Sequence, residues 1–364
     1  MTTKENNLKK VIVINPFGIG DVLFTTPVVR NLRQSLPGVY IAYLCNIRTA
    51  KVLEANPSID KIFIFEKDYF RQIGRESKIK CLKEFKHLLD SIKKEKFDTA
   101  IDLSLGKHYS FFCWLIGIKK RIGFNYKNRG FFLTDKINID GYQTKHVVEY
   151  YLDLLKFLNI DHKNNRLDLF IPDDIKDWSE RFLREHSVNH NDTLVAIVPG
   201  GGASWGKDAS IKQWPADKFA SVASKLSEEF KVKILVMGDL KDQESCSRVV
   251  NRSKNSTIDC CGKTDIMQFS ALLARTKLVI ANDGGPLHLA VASGVKTVSI
   301  FGPVDDKVYG PYPRSQDHKV IKTNFSCQPC YQKFKLLPCD NNRQCLREVR
   351  EEEVFQAAKE LLSQ

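Results

Sequence analysis

Each half of this 364-residue chain begins with the same local pattern: an apolar run, a glycine-containing loop and a helix-patterned segment. In the first half, Val11–Ile14 leads into Asn15–Gly20, and amphipathic helical spacing begins at Asp21. In the second half, Leu194–Val198 leads into Pro199–Ser204. A buried strand that feeds a glycine loop and a helix is typical of doubly wound α/β sheets. The sequence therefore predicts two Rossmann-like α/β domains with parallel sheets.

The domain boundaries follow from the length and from a break near the middle of the chain. A chain of 364 residues exceeds one small core, and Leu169–Pro172 carries an apolar run into a proline and an acidic helix start. We place an N-terminal domain at 1–172, a second domain at 173–345 and a C-terminal helix at 346–364. Ligands of such sheets bind at the carboxyl ends of the strands. Two facing domains would therefore enclose a substrate cleft.

The stretch Ala281–Ala290 lies between the apolar run Leu278–Ile280 and a helix-patterned segment. Pro286 suits the first helical position, where its missing N–H costs nothing. Gly284 and Gly285 would leave backbone N–H groups bare at the positive end of the helix dipole, which favours an anion such as phosphate. Taken alone, the stretch is equally typical of an ordinary strand-to-helix turn.

The positive charge of the chain is concentrated in its first half. Residues 1–172 contain 29 Lys and Arg against 18 Asp and Glu, a net of +11 out of +13 for the whole chain. Such a surface would attract nucleic acid, an anionic membrane or a phosphorylated glycolipid, or would serve solubility alone. No helix-turn-helix or aromatic RNA-binding motif is visible, so no nucleic-acid partner is expected. The polar N-terminus lacks a signal pattern, and Phe111–Ile118 is too short to span a bilayer, which favours a cytoplasmic location.

Four of the ten cysteines cluster near the C-terminus, as Cys327-x2-Cys330-x8-Cys339-x5-Cys345. The leading pair has the spacing of zinc ligands, whereas the second pair is spaced too widely for a standard zinc ribbon. A disulfide framework is not expected in a chain without a secretion signal. A structural zinc site, one or more disulfides and free thiols all stay open, and none of them would be catalytic.

Four motifs occur in order along nearly the whole chain. They are Pro16–Val22 with Thr25–Pro27, Lys212–Pro215, Asn282–Ala290 and Phe301–Asp305, joined by Ile101–Leu103 and His146–Glu149. Together they resemble glycosyltransferase family 9, the ADP-heptose:lipopolysaccharide heptosyltransferases. The resemblance implies a GT-B fold and an inverting, metal-independent transfer with no cofactor. It also implies that heptose moves from ADP-heptose to the Kdo/heptose inner core of a lipid A acceptor, with the enzyme peripheral at the cytoplasmic face of the inner membrane.

The resemblance assigns the catalytic roles to two residues. Asp21, at the tip of the first glycine loop, would take the proton of the acceptor hydroxyl, although Asp at this place is also a good helix N-cap. Lys212 would stabilise the leaving diphosphate together with the helix start at Gly284 and Gly285. Lys207 in the same loop is a rival cation.

The resemblance also assigns donor and acceptor contacts. Asp283 would accept hydrogen bonds from sugar hydroxyls, because its charge repels phosphate. His288 would contact phosphate, orient Asp283 or serve a structural role, and Asp242 and Thr264 fall where the family contacts ribose and adenine. Three basic residues match the acceptor side, where anionic groups would bind: Arg121, Lys127 and Arg129.

Two alternatives stay open at this stage. Relatives often carry Thr or Ser at the position of Gly284, so the donor could be another ADP- or UDP-sugar, added to a different surface glycan. A non-catalytic nucleotide-binding protein is the alternative from another class. Such a protein would more plausibly lack Asp21 or Lys212, and both are present.

Overall fold

The structure is a computed structural model that describes residues 8–162, 165–201, 203–253 and 257–364, without the side chains of residues 203, 204, 207 and 208. The chain forms two compact units, Met1–Arg166 and Leu167–Gln364. The boundary placed after Pro172 from the sequence lies in the same connection, between the helical turn that ends at Leu158 and the helix that begins at Asp173.

The first unit is built on a six-stranded parallel sheet of order β3-β2-β1-β4-β5-β6. The strands are β1 (Lys10–Ile14), β2 (Tyr40–Cys45), β3 (Lys61–Ile64), β4 (Thr99–Asp102), β5 (Lys120–Tyr126) and β6 (Asp135–Ile139). The helices are α1 (Ile19–Ser35), α2 (Ile47–Leu53), α3 (Lys67–Glu76), α4 (Lys78–Lys94), α5 (His108–Leu115) and α6 (Val147–Asp153), which continues as a 3-10 turn, Leu154–Leu158.

The second unit is built on a six-stranded parallel sheet of order β12-β11-β10-β7-β8-β9. The strands are β7 (Leu194–Val198), β8 (Lys233–Val236), β9 (Thr257–Asp259), β10 (Leu278–Asn282), β11 (Lys296–Ile300) and β12 (His318–Ile321), with a small antiparallel hairpin, β13 (Tyr331–Gln332) and β14 (Lys335–Leu336). The helices are α7 (Asp173–Glu185), α8 (Ala216–Phe230), α9 (Gln243–Arg252), α10 (Ile266–Ala274), α11 (Gly285–Ala292), α12 (Asp306–Tyr309), α13 (Gln344–Arg347) and α14 (Glu351–Ser363), with 3-10 turns at Ala203–Lys212 and Leu240–Asp242.

The central strands are buried on both faces, which explains why they read as continuous apolar runs. Val11, Val13, Val195 and Ile197 are all 0% exposed. Three of the four edge strands show the opposite pattern. The edge strands β6, β9 and β12 are only partly buried and interleave polar residues, so they carry no unbroken apolar run.

Two helices begin later in the structure than the sequence predicts. The residue spacing of Tyr142–Leu158 is helical, but the helix begins only at Val147, because the side chain of His146 caps it by accepting the N–H of Val148 at 3.2 Å. The predicted C-terminal helix is α14, which buries Val354, Phe355 and Leu361 against the second sheet and α8. None of the helices within the described ranges is long and apolar enough to cross a membrane.

Candidate active site

Both sheets reverse their strand order at one place, between β1 and β4 in the first unit and between β7 and β10 in the second. Ligands of open α/β sheets bind beyond the carboxyl ends of the strands at such a switch point. Asp21 follows β1, Lys212 follows β7 and Asp283 follows β10. The topology of each unit therefore brings its sequence-predicted catalytic and donor-binding residues to the expected edge of its sheet.

Asp21 is the third residue of α1 and not its N-cap, which is Gly18. Its Oδ2 atom accepts the backbone N–H of Gly18 at 3.1 Å, so the carboxylate closes the start of the helix. An acidic side chain in the first turn is also favoured by the helix dipole. The carboxylate is partly exposed, so it combines a capping role with access for a reacting group.

Two asparagines hold the loop that presents Asp21. Asn15 is fully buried, and its Nδ2 donates to the carbonyl of Asp21 at 3.0 Å and to the hydroxyl of Thr25 at 2.8 Å. Asn46 donates to the carbonyl of Phe17 at 2.7 Å. Because buried polar groups need partners, these bonds restrict the loop to one conformation.

Lys212 and Asp283 form a buried ion pair in the second unit. Their side chains are 9% and 4% exposed, and Lys212 Nζ pairs with Asp283 Oδ2. The ammonium also lies 4.5 Å from the centroid of the Trp205 ring, within cation–π range. The structure thus pairs the lysine that is predicted to stabilise the leaving diphosphate with the aspartate that is predicted to accept hydrogen bonds from sugar hydroxyls. The side chain of Lys207, the rival cation, lies outside those described.

Asn282, the last residue of β10, joins the segments that carry this pair. Its Nδ2 donates to the carbonyls of Pro199 and Gly200 at 2.9 and 3.0 Å. Its Oδ1 accepts the backbone N–H of Trp214 at 2.8 Å. The buried amide therefore ties the loop after β7 to the end of β10 and fixes the backbone two residues after Lys212.

The start of α11 follows Asp283 directly. Gly284 is the N-cap, Gly285 is the first helical residue, and Pro286 is the second rather than the first. The first-turn N–H groups of a helix have no acceptor within it, which makes this end a site for anions. His288 is buried in the first turn, 4% exposed.

Asp242, predicted near the ribose, has both carboxylate oxygens engaged by backbone. Oδ1 accepts the N–H of Gly201 at 3.1 Å, and Oδ2 accepts the N–H of Asp239 at 3.2 Å. Burial raises the pKa of Asp242, while the bond from Gly201 opposes the rise. The carboxylate fits because Gly200 has no side chain: a Cβ there would lie 2.0 Å from Asp242 Cγ.

Gly200→Ala is therefore expected to push Asp242 out of place and to distort the loop after β7. We expect a loss of about 1–3 kcal/mol in the free energy of unfolding, as for other overpacked sites. Urea titration checks this, with Gly38→Ala as the matched control because nothing lies within 4 Å of a Cβ at Gly38. Equal stability of the two variants would contradict the tight fit.

Thr264 and the predicted acceptor residues occupy different environments. The hydroxyl oxygen of Thr264 is buried and finds no hydrogen-bond partner among the residues that the structure describes. Lys127 and Arg129 are exposed and flank the Tyr126 ring, at 5.1 and 5.7 Å from its centroid. Arg121 instead directs its guanidinium to the backbone carbonyls of Ile118, Lys119 and Phe132, and its acceptor contact stays a prediction.

The four C-terminal cysteines are free thiols in the structure. Cys327 and Cys339 are exposed, whereas Cys330 and Cys345 are buried. Burial and the neighbouring Cys327 raise the pKa of Cys330 to about 11, so its thiol is protonated at neutral pH. Within the described ranges, no three His, Cys, Asp or Glu side chains are arranged to hold a metal ion. The structural zinc site stays a prediction.

Asp102, at the end of β4, is 4% exposed, and burial raises its pKa from 3.8 to about 6 despite hydrogen bonds from Ser104. Because the folded pKa is the higher one, the contribution of this group to stability is complete below about pH 4 and is lost as the pH rises through 6. We expect a decrease of up to about 3 kcal/mol in the free energy of unfolding.

The measurement for Asp102 is urea unfolding at pH 4.5 and 7.5, for the wild type and for Asp102→Asn. The change between the two pH values should be smaller in the variant, whatever the absolute stability of the variant. An equal change in both proteins would exclude Asp102 as its source.

Sequence reasoning missed the positioning role of three residues: Asn15, Asn282 and Trp205. The signal for the two asparagines was present, since each is a polar residue at the end of an apolar strand that leads to a glycine turn. Trp205 carried no such signal, because only the fold brings its ring to Lys212.

Comparisons with known proteins agree on one family. The profile of glycosyltransferase family 9 (heptosyltransferase) matches residues 85–340. Lipooligosaccharide heptosyltransferase 2 of Campylobacter jejuni is 29% identical over 358 residues, 97% of this chain and 98% of that protein. A solved family 9 glycosyl transferase from Veillonella parvula superposes with a TM-score of 0.83 at 27% identity, covering 98% of this chain and 97% of the other. ADP-heptose lps heptosyltransferase II of Escherichia coli shares the fold, with a TM-score of 0.74 at 20% identity, 97% of this chain and 98% of the other.

Two doubly wound parallel sheets, each with its candidate residues at the switch point, and the likeness to these solved structures show the GT-B fold class. The family profile covers well over half of the sequence. The chain belongs to glycosyltransferase family 9, the heptosyltransferases. The fold class, the family and the transferase activity predicted from the sequence motifs are thereby confirmed.

Proposed function

We propose that this protein transfers heptose from ADP-heptose to the inner core of a lipid A acceptor, with inversion and without a metal ion. The observation that carries the proposal is the buried Lys212–Asp283 pair beside the start of α11. The names of the relatives support the substrates: one is a lipooligosaccharide heptosyltransferase, and one structure is an ADP-heptose lps heptosyltransferase.

The donor side needs positive charge where the diphosphate leaves. Lys212 forms an ion pair with Asp283, and its ammonium has three N–H donors. We assign these donors to phosphate oxygens of the leaving diphosphate. The first-turn N–H groups of α11 add the positive end of a helix dipole. We assign the second carboxylate oxygen of Asp283 to a sugar hydroxyl. Thr264 and the loop held by Asp242 complete the nucleotide side, and His288 supports the first turn of α11.

The acceptor side needs a base. In the proposed step Asp21 takes the proton of the acceptor hydroxyl while that oxygen forms a bond to the anomeric carbon of heptose. The bond from this carbon to the diphosphate breaks on the opposite face, and ADP leaves with the electron pair. Lys127 and Arg129 are the exposed cations that we assign to anionic groups of the acceptor. Such an acceptor places the enzyme peripherally at the cytoplasmic face of the inner membrane.

The test is a transfer assay with ADP-heptose and a Kdo-bearing lipid A acceptor, followed by mass spectrometry of the product. We expect a mass increase of one heptose, an inverted anomeric configuration and an undiminished rate in excess EDTA. Parallel reactions with UDP- and other ADP-sugars test the donor. Transfer from one of those sugars alone would overturn the assignment of ADP-heptose as the donor. Loss of activity in EDTA would overturn the metal-independent mechanism.

A further inference from the structure

The first unit exposes large apolar side chains next to one another. Phe131 is 81% exposed, the highest value among the large apolar residues that the structure describes, and Trp114 and Leu115 are 51% and 55% exposed. Single exposed apolar residues are ordinary, whereas a contiguous group marks an interaction surface. The group lies on α5 and on the loop between β5 and β6.

Ring contacts join these side chains into one surface. The ring centroid of Phe132 lies 5.2 Å from that of Phe131, 5.6 Å from that of Trp114 and 5.0 Å from that of Phe111. The Phe111 and Trp114 centroids are 5.9 Å apart. We call this surface the aromatic patch; it comprises Phe111, Trp114, Leu115, Phe131 and Phe132. Because α5 and the loop brace each other through these rings, the patch is held in place before any partner binds.

The surroundings of the aromatic patch are strongly basic. Residues 107–136 contain seven Lys and Arg against one acidic residue, Asp135, which accepts a hydrogen bond from Thr134. Five of the basic side chains are exposed: Lys107, Lys119, Lys127, Arg129 and Lys136. Each basic residue near an anionic membrane surface contributes about 1 kcal/mol of attraction. Aromatic side chains favour the headgroup region of a bilayer.

We propose that the aromatic patch docks on an anionic phospholipid bilayer, with its rings in the headgroup region and the surrounding lysines and arginines on lipid phosphates. The proposal rests on the proposed function in one respect, because a lipid A acceptor is itself held in such a bilayer. Lys127 and Arg129 share a loop with Phe131. Docking would therefore bring the assigned acceptor cations to the surface where the acceptor lies.

The charge of this surface favours a bilayer over a second copy of the chain. A symmetric dimer would bring the same patch of each copy together, and the exposed lysines and arginines of residues 107–136 in one copy would then lie near those of the other. Anionic lipid supplies the opposite charge. Burial of the aromatic rings then adds to the electrostatic attraction.

The experiment measures co-sedimentation with vesicles that contain neither donor nor acceptor. The wild type should bind phosphatidylglycerol-containing vesicles, bind phosphatidylcholine vesicles weakly, and lose affinity as salt is raised. The double variant Trp114→Ser/Phe131→Ser should bind about tenfold more weakly or worse. Leu240→Ser is the matched control, since Leu240 is 74% exposed in the second unit, and it should bind as the wild type does.

Three results would overturn the docking proposal. They are equal binding of the double variant and the wild type, equal binding to neutral and anionic vesicles, and a wild-type dimer in sedimentation that the double variant breaks. Melting temperatures of the variants verify folding. The double variant should also keep its rate on a water-soluble acceptor without acyl chains. Vesicle binding by a protein that transfers no heptose would refute the proposed function and leave the docking intact.

Discussion

The Asp21→Ala variant is expected to lose heptose transfer by about 10²–10⁴-fold while keeping its affinity for the nucleotide, since a positioned general base contributes this much. The carboxylate follows β1 at the switch point of the first sheet, is partly exposed, and is held by the capping bond to Gly18 and the Asn15 bond to its carbonyl. Steady-state kinetics and nucleotide titration calorimetry measure the two quantities separately.

A second variant separates catalysis by Asp21 from helix capping. Asp21→Asn keeps an oxygen that accepts the N–H of Gly18 but provides no base. If Asp21 is the base, the alanine and asparagine variants lose transfer alike, and the asparagine variant is the more stable of the two. Recovery of transfer in Asp21→Asn would show that the carboxylate serves only to start α1.

The Lys212→Met variant is expected to lose both transfer and stability. Removal of one preorganised donor to a developing negative charge costs about 10²–10³-fold in kcat. Removal of one partner of a buried ion pair costs about 3–5 kcal/mol, because the remaining charge is left unpaired. In this variant the carboxylate of Asp283, whose side chain is 4% exposed, would lose the lysine with which it pairs. Kinetics and urea unfolding measure the two losses.

The double variant Lys212→Met/Asp283→Asn separates the two losses. It removes both charges, so much of the lost stability should return, whereas transfer should stay low because the diphosphate still lacks its cation. The nucleotide affinity of the two variants provides a further comparison. Transfer restored in the double variant would show that Lys212 acts only to neutralise Asp283.

The candidate site was predictable to the extent that it depends on residues adjacent in sequence. Asp21 and Gly284 each follow an apolar strand, and the sequence pattern placed both correctly relative to those strands. The roles of Asp242 and Arg121 were not predictable from pattern, since their polar atoms bind backbone groups of other loops. A charged residue in a motif shows that charge is present, but not which group it pairs with.

By itself, the sequence determined the two α/β units, the strand ends that carry polar residues and the family of the protein. These features depend on apolar runs, glycine loops and short motifs, which are local along the chain. Only the tertiary structure decided that Lys212 pairs with Asp283 beside the ring of Trp205 and that four rings from α5 and the loop after β5 form one surface. The Lys212–Asp283 contact depends on strand order, since the adjacent parallel strands β7 and β10 bring together loops that are far apart in sequence. The ring contacts depend on how α5 packs beside the loop after β5.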